Sequence, residues 1–272
     1  MRSLFLFISA IVLAALLHGS TLATERIFTY TYQSNVLAQG QKEIEIWNTL
    51  HWQREHFYRK FRHRVEYEVG LGGNVQTAFY LNVQSVAAFE PGTPPSIDKE
   101  LEVGFSNEWK FKISDPLADA VGSAGYLEFS ILPDELELEG KIILDKQIGN
   151  TTHALNLVAE PEWKQEVVGN GMETEFELGV EFDYGFSYQL NGNWNLGFEL
   201  RNHSEYTKDN GWEHAALFGG PVVAYRTSGW WFTLTVLPQL YAFKNEPGNT
   251  HNHLELQAHE RIETRLLFAY EF

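Results

Sequence analysis

The chain has 272 residues, 44% of them hydrophobic and 14% aromatic, which excludes disorder and provides a large apolar surface. Its formal charge of −16 excludes a nucleic-acid partner, which needs a basic footprint. With no Cys, disulfides do not hold it together.

At the N-terminus, Arg2 precedes a run from Leu4 to Leu17 whose only polar residue is Ser9, followed by polar and small residues ending in "TLA". A charged start, a short apolar core and small residues mark residues 1–23 as a secretory signal peptide. The alternative, a membrane anchor, needs a longer apolar stretch. Residues 24–41 read as a periplasmic lead-in. After Ala23 no 18 apolar residues run together, so an exported chain that enters a membrane has one route left, the closed barrel.

From residue 42 the polarity alternates at period two. "EIEIWNTLHW" sets Ile44, Ile46, Leu50 and Trp52 against Glu43, Glu45, Thr49 and His51. "RVEYEVGL", "NVQTAFYLNVQ", "LEVGFSNEW" and "ELELEGKIIL" repeat the pattern. The longest stretch, "METEFELGVEFDYGFSY", puts Phe176 to Tyr188 opposite Glu175, Glu177, Glu181 and Asp183. A helix would turn these acids into the apolar row; a strand keeps them apart. Twelve segments are predicted: 42–53, 58–70, 74–86, 99–113, 123–132, 135–147, 151–162, 172–189, 193–204, 213–226, 229–243 and 253–272.

The connections alternate between tight turns ("LGGN", "IGN", "LNGN", "RTSG") and longer stretches ("AAFEPGTPPSID", "WKQEVVGNG", "KNEPGNTHN"). With an even strand number, this is the pattern of an all-β, transmembrane, antiparallel up-and-down barrel of the outer membrane, 42–272, with outer-membrane lipid around it. A soluble β-sandwich would need a second sheet for each apolar face. The chain ends on the row Ile262, Thr264, Leu266, Phe268, Tyr270 and Phe272, and Leu266, Phe268, Tyr270 and Phe272 resemble the signal read by bacterial barrel-assembly machinery.

Alternation sends an acidic ladder into the lumen: Glu45, Glu66, Glu68, Glu102, Glu137, Glu139, Glu177, Glu181, Glu199 and Glu263, with Arg64, Lys141, Arg201, Arg261 and Arg265 as basic partners. Two readings follow. A cross-strand lattice of ion pairs would stiffen a packed interior, because unpaired charges are costly. An acid-lined constriction would instead pass a small solute or cation. The matching Arg and Lys favour the lattice.

His251, His253 and His259 raise a metal question, but solvated loop histidines explain them, and no metal or cofactor is expected. His203 beside Ser204 cannot act as base and nucleophile, since adjacent strand residues face opposite ways, so no enzyme is expected. Trp47, Trp52, Tyr58, Trp109, Trp163, Trp194, Trp212, Trp230, Trp231 and Tyr241 read as interface anchors.

The runs "YQSNVLAQGQKEIEIWNTLHW", "FRHRVEYEVGLGGNVQTAFYLN" and "GYLEFSILPDELELEGKIILDKQ" resemble a family of uncharacterised Gram-negative outer-membrane barrels. Some of its members carry transporter labels, and it is similar to barrels grouped under a phenol-degradation pathway label. Gly40, Glu43 and Glu45 open the first strand of the pattern, Glu66, Glu68 and Gly70 close the second, and Glu135, Glu137, Glu139 and Lys141 form a later ladder. The resemblance implies a porin-like transport barrel, with no catalytic residues to carry over. The function expected is a narrow channel or transport-associated barrel; the alternative is a structural membrane protein with a packed, non-conducting lumen.

Overall fold

The computed structural model describes residues 26–169, 171–208, 210–246, 248, 249, 251 and 253–272; the expected signal peptide lies outside them. Twelve antiparallel strands form one closed barrel: β1 (Lys42–Trp52), β2 (Tyr58–Gly72), β3 (Val75–Glu90), β4 (Ser96–Ser114), β5 (Gly122–Ile131), β6 (Glu135–Ile148), β7 (Thr151–Val168), β8 (Gly171–Gln189), β9 (Trp194–Thr207), β10 (Gly211–Arg226), β11 (Trp230–Lys244) and β12 (Ile262–Glu271). Each pairs with its sequence neighbours, and β1 closes the ring against β12 in a register running from Glu43 opposite Glu271 to Trp52 opposite Ile262. The start of β1, the end of β12 and the tight turns share one end, called the lower end below.

Alternation decides what faces where. In β5, Leu127 is 52% exposed while its neighbours Tyr126 and Glu128 are buried, and the other strands alternate the same way. The outside is therefore a band of Leu, Ile, Val and Phe, and the inside is polar. Closure leaves no unpaired strand edge, the condition lipid imposes on a spanning sheet.

The ends of the strands depart from expectation at three places. β3 and β4 pair out to Glu90 opposite Ser96, and β7 and β8 out to Val168 opposite Gly171, so residues expected in long loops extend hairpins above the barrel. β12 begins at Ile262, not at 253. The β11·β12 ladder stops where Pro238, which has no N–H to donate, faces Ile262. Between the exposed His253 and Arg261, residues 255–260 instead fold inward: Glu255 and Leu256 are fully buried, and the Gln239 amide pairs with the Glu255 backbone at 2.6 and 2.8 Å.

Trp47 and Trp231, expected as interface anchors, lie in the lumen, 6% and 1% exposed. Trp47 shares the parity of Glu45 and Thr49, and strand parity overrides the aromatic preference for an interface. Tyr58 is half-buried, with the Arg54 guanidinium 3.9 Å above its ring. Trp52, Trp109, Trp194 and Trp212 do face outward.

A charge placed on the outward face of the barrel should be felt at once in lipid. Leu127→Arg is expected to lower stability in vesicles by about 2–4 kcal/mol, read by urea unfolding; a barrel wetted on that face would show almost no change.

Candidate functional site

The lumen is divided by the chain's own N-terminal segment. Described from residue 26, the stretch expected as a periplasmic lead-in runs inside the lower half of the barrel. Its rings occupy three separate nests: Phe28 against Ala154 and Val222, Tyr30 against Ala216, Phe218 and Leu237, and Tyr32 against Trp47, Tyr126, Ile143 and Trp231. Each buried ring contributes roughly 1.5–3 kcal/mol.

This plug is not a strand of the barrel, so its backbone donors need partners elsewhere. One carboxylate serves three consecutive ones. Glu199 accepts hydrogen bonds from the backbone N–H groups of Thr29, Tyr30 and Thr31 at 3.1, 2.9 and 2.9 Å, and from the Thr29 and Thr235 hydroxyls at 3.1 and 2.6 Å. Asn156 imitates a strand, accepting from Tyr32 N–H at 2.6 Å and donating to its carbonyl at 3.0 Å. Gln76 accepts from Leu37 N–H at 2.9 Å. Two glycines make room: a Cβ on Gly185 would come within 2.8 Å of the Phe28 ring, and one on Gly70 within 2.1 Å of the Ala38 carbonyl where the segment leaves the lumen.

Above the plug lies an open cavity of about 1020 Å³, counting the part that opens to solvent, floored by Tyr30, Tyr32 and Trp47. Below it a second one of about 580 Å³ is lined by Ile27, Gln33, Asp145, Asn195 and Arg226. The upper wall is an ion-pair lattice. Arg64 meets Glu128 at 3.1 Å, and Lys141 meets Glu139 at 2.6 Å. Arg201 bridges Glu181 and Glu263, the latter at 2.8 Å, while Tyr30 O–H donates to Glu263 at 2.6 Å. The Arg265 guanidinium stacks on Tyr30 at 3.6 Å and donates to Thr49 at 2.9 Å. Arg26 and Lys141 lie over Tyr32 at 3.8 and 4.3 Å.

The acidic ladder takes its places on this inner face. Glu45, Glu66, Glu68, Glu181, Glu199 and Glu263 are buried; Glu102, Glu137, Glu139 and Glu177 are partly exposed higher up. Glu102 accepts from Gln84 across the β3·β4 pair. Arg261 departs from its expected role: it precedes β12, is exposed, and gives its backbone N–H to the Gln53 carbonyl at 2.6 Å. Glu128 joins the ladder although sequence reasoning missed it: it stands opposite Glu139 in the β5·β6 pair, and the alternation of β5 was the signal that could have found it. Glu43, Glu45 and Glu68, and Glu66, Glu68 and Glu108, bring carboxylate oxygens within 4.8 Å of one another, a donor set suited to hard cations.

The histidines part ways. His253 is exposed and His251 half-buried, outside any strand. His259 is 6% exposed; burial pushes its imidazole well below the usual range, and His203 and His214 push it the same way. Burial alone would raise the Glu260 carboxyl, but His51 against it holds it well below the usual range. His203 and Ser204 do not meet: the hydroxyl donates to Asn202 at 3.2 Å, while His203 Nδ1 lies 3.0 Å from both Glu181 and Arg201.

Residues 20–272 match the model of a family of unknown function, DUF6662, and the chain belongs to that family. No curated protein matches it. Among solved structures it is similar to an outer membrane channel from Pseudomonas putida F1, at 9% identity and a TM-score of 0.59, covering 88% of this chain and 98% of that one. The beta domain of the Bordetella autotransporter Brka (10% identity, TM-score 0.54, 86% and 100% covered) and the NanC porin (9%, 0.50, 84% and 100%) share the same architecture. At such identities the likeness is one of fold.

Glu199→Ala should loosen the plug, since leaving even one buried donor unpaired costs about 1–3 kcal/mol. Chymotryptic cleavage after Tyr30 and Tyr32 in micelles is then expected to speed up at least about tenfold, with the barrel itself still resistant.

Proposed function

We propose that this DUF6662 barrel resides in a bacterial outer membrane as a narrow, transport-associated channel, closed at mid-height by its own N-terminal segment. The observation that carries this reading is the pair of cavities, each open to solvent, set on either side of a segment that hydrogen bonds, ring packing and cation–π contacts hold in place. A plug held without a permanent tie can shift, and the wall behind it is polar and charged as a water-filled path requires. An even strand number puts both barrel termini at the lower end, and the tight turns there support a periplasmic orientation for it. The Pseudomonas protein is described as a channel and NanC as a porin, which agrees with a solute path here. The partly exposed carboxylates Glu137, Glu139 and Glu177 favour cations.

The second reading, a structural barrel, rests on the packing of Phe28, Tyr30 and Tyr32 across the lumen. Planar bilayers separate the two. The intact protein is expected to give small, discrete currents that rise several-fold in Glu199→Ala with Asn156→Ala. Cation preference should drop when Glu137, Glu139 and Glu177 are changed to Gln. Silence from both the intact and the loosened barrel supports the structural reading.

The outward row Leu266, Phe268, Tyr270 and Phe272 serves in this reading as the signal for the assembly machinery. Removing Phe272 is expected to lower the fraction of heat-modifiable, folded barrel recovered from outer membranes, with no loss in refolding from urea into detergent.

A further inference from the structure

At the top of the lumen, opposite in height to the plug, the β11–β12 connection turns inward and brings His259 against two strands. Its ring centroid lies 4.5 Å from that of His214 on β10 and 5.0 Å from that of His203 on β9, and the latter two are 6.4 Å apart. His214 and His259 are 3% and 6% exposed. A carboxylate flanks each strand histidine: His214 Nε2 lies 3.3 Å from Glu205, and His203 Nδ1 3.0 Å from Glu181. The remaining nitrogen of His214, Nδ1, and the Nε2 of His259 are buried with no hydrogen-bond partner.

Edge-to-face packing of rings does not account for this. Phe or Leu would fill the same space without stranding ring nitrogens, each of which costs about 1–3 kcal/mol when left unpaired. We propose that His203, His214 and His259 bind one first-row transition-metal ion, of the zinc type, beneath the β11–β12 connection. A metal 2.0–2.1 Å from each nitrogen sits about 3.2 Å from each ring centre, which puts tetrahedrally arranged rings about 5.2 Å apart. The three observed separations bracket that value, but the ring nitrogens do not all lie within 4.8 Å of one another, so binding requires the edge-to-face rings to turn their nitrogens toward a common point. The carboxylates at Glu205 and Glu181 occupy the outer-shell position that orients metal-bound imidazoles and raises their basicity. Arg201, also near His203, has its charge met by Glu181 and Glu263. Three imidazoles leave a coordination position open and favour Zn²⁺, Cu²⁺ or Ni²⁺ over the hard cations that carboxylates prefer. The ion ties the connection to β9 and β10, and this holds whether or not the barrel conducts.

The test uses tag-free, full-length protein in detergent, cleared of metal with a chelator and titrated with Zn²⁺; Co²⁺ serves as the spectroscopic probe. About one equivalent of Zn²⁺ per chain is expected, with Co²⁺ giving the visible absorption of a low-coordinate imidazole site. His259→Gln and His214→Gln abolish stoichiometric uptake. Glu205→Gln, which reaches the ion only through His214, weakens it roughly 10–100-fold. His251→Gln combined with His253→Gln leaves it unchanged. Heat-modifiable migration reports whether each variant is folded. The proposal is overturned by absence of stoichiometric uptake, by uptake that persists in His259→Gln, or by uptake that follows His251 and His253 instead. Should the histidine variants fail to fold, unaltered affinity in Glu205→Gln overturns it equally.

Discussion

The pairing of β1 with β12 is the constraint from which the rest of the molecule follows. Once Glu43 stands opposite Glu271 and Trp52 opposite Ile262, no strand has a free edge. The sheet then has an inside and an outside, and alternation becomes a sorting rule. Every second residue goes to an apolar surround and every other one to a shared interior. The C-terminus takes part in this closure, since Phe272 N–H donates to the Lys42 carbonyl at 3.0 Å.

Sorting creates a problem that the interior must solve. Most of the strands deliver carboxylates, and charges withdrawn from bulk water are stable only when paired and hydrogen-bonded. Two solutions coexist at different heights. In the upper lumen the cations answer the anions directly, Arg64 to Glu128 and Arg201 to Glu181 and Glu263. Lower down, carboxylates and amides answer backbone and hydroxyl groups of the plug instead. Glu199 takes up donors from three consecutive residues, which orients that stretch of chain without any strand pairing. The acidic wall and the plug are therefore one structure: neither is satisfied without the other.

Strand identity and facing were legible because they depend on a local period. In β8, Phe182, Tyr184 and Phe186 against Glu181 and Asp183 admit one assignment, and the ladder through Glu66 and Glu68 follows from the same period. What was not legible depended on distance along the chain. "FTYTY" alternates like a strand, yet its backbone partners are the side chains of Glu199, 170 residues from Thr29, and Asn156, and nothing near Phe28 announces either. Gly185, whose missing Cβ leaves space for Phe28, reads in sequence as an ordinary interruption of a strand. Leu254 and Leu256 likewise alternate as if β12 had begun, but the ladder is cut by Pro238 on the neighbouring strand. Trp47 and Trp231 were misassigned for a different reason: residue type suggested an interface, and parity, equally visible, had the stronger claim.

The two inward-folded segments act on opposite ends of one cavity. The plug is its floor, lined there by the edges of the buried Tyr30 and Tyr32 rings. The β11–β12 connection packs into the upper lumen, its Leu256 and His259 buried and Glu260 set against His51. Both segments lie inside a sheet closed by its own strand ladders, so either can move without opening the barrel. Their polar anchors are few, Glu199, Asn156 and Gln76 for the floor and Gln239 and the histidines for the connection, and in the floor they add to the packing of Phe28, Tyr30 and Tyr32. A rigid cylinder with two lightly held inserts separates durability from responsiveness, because the energy that keeps the sheet closed is not drawn upon when an insert shifts. Whatever displaces the floor therefore has ring packing and a few polar contacts to overcome, but not the strand ladder.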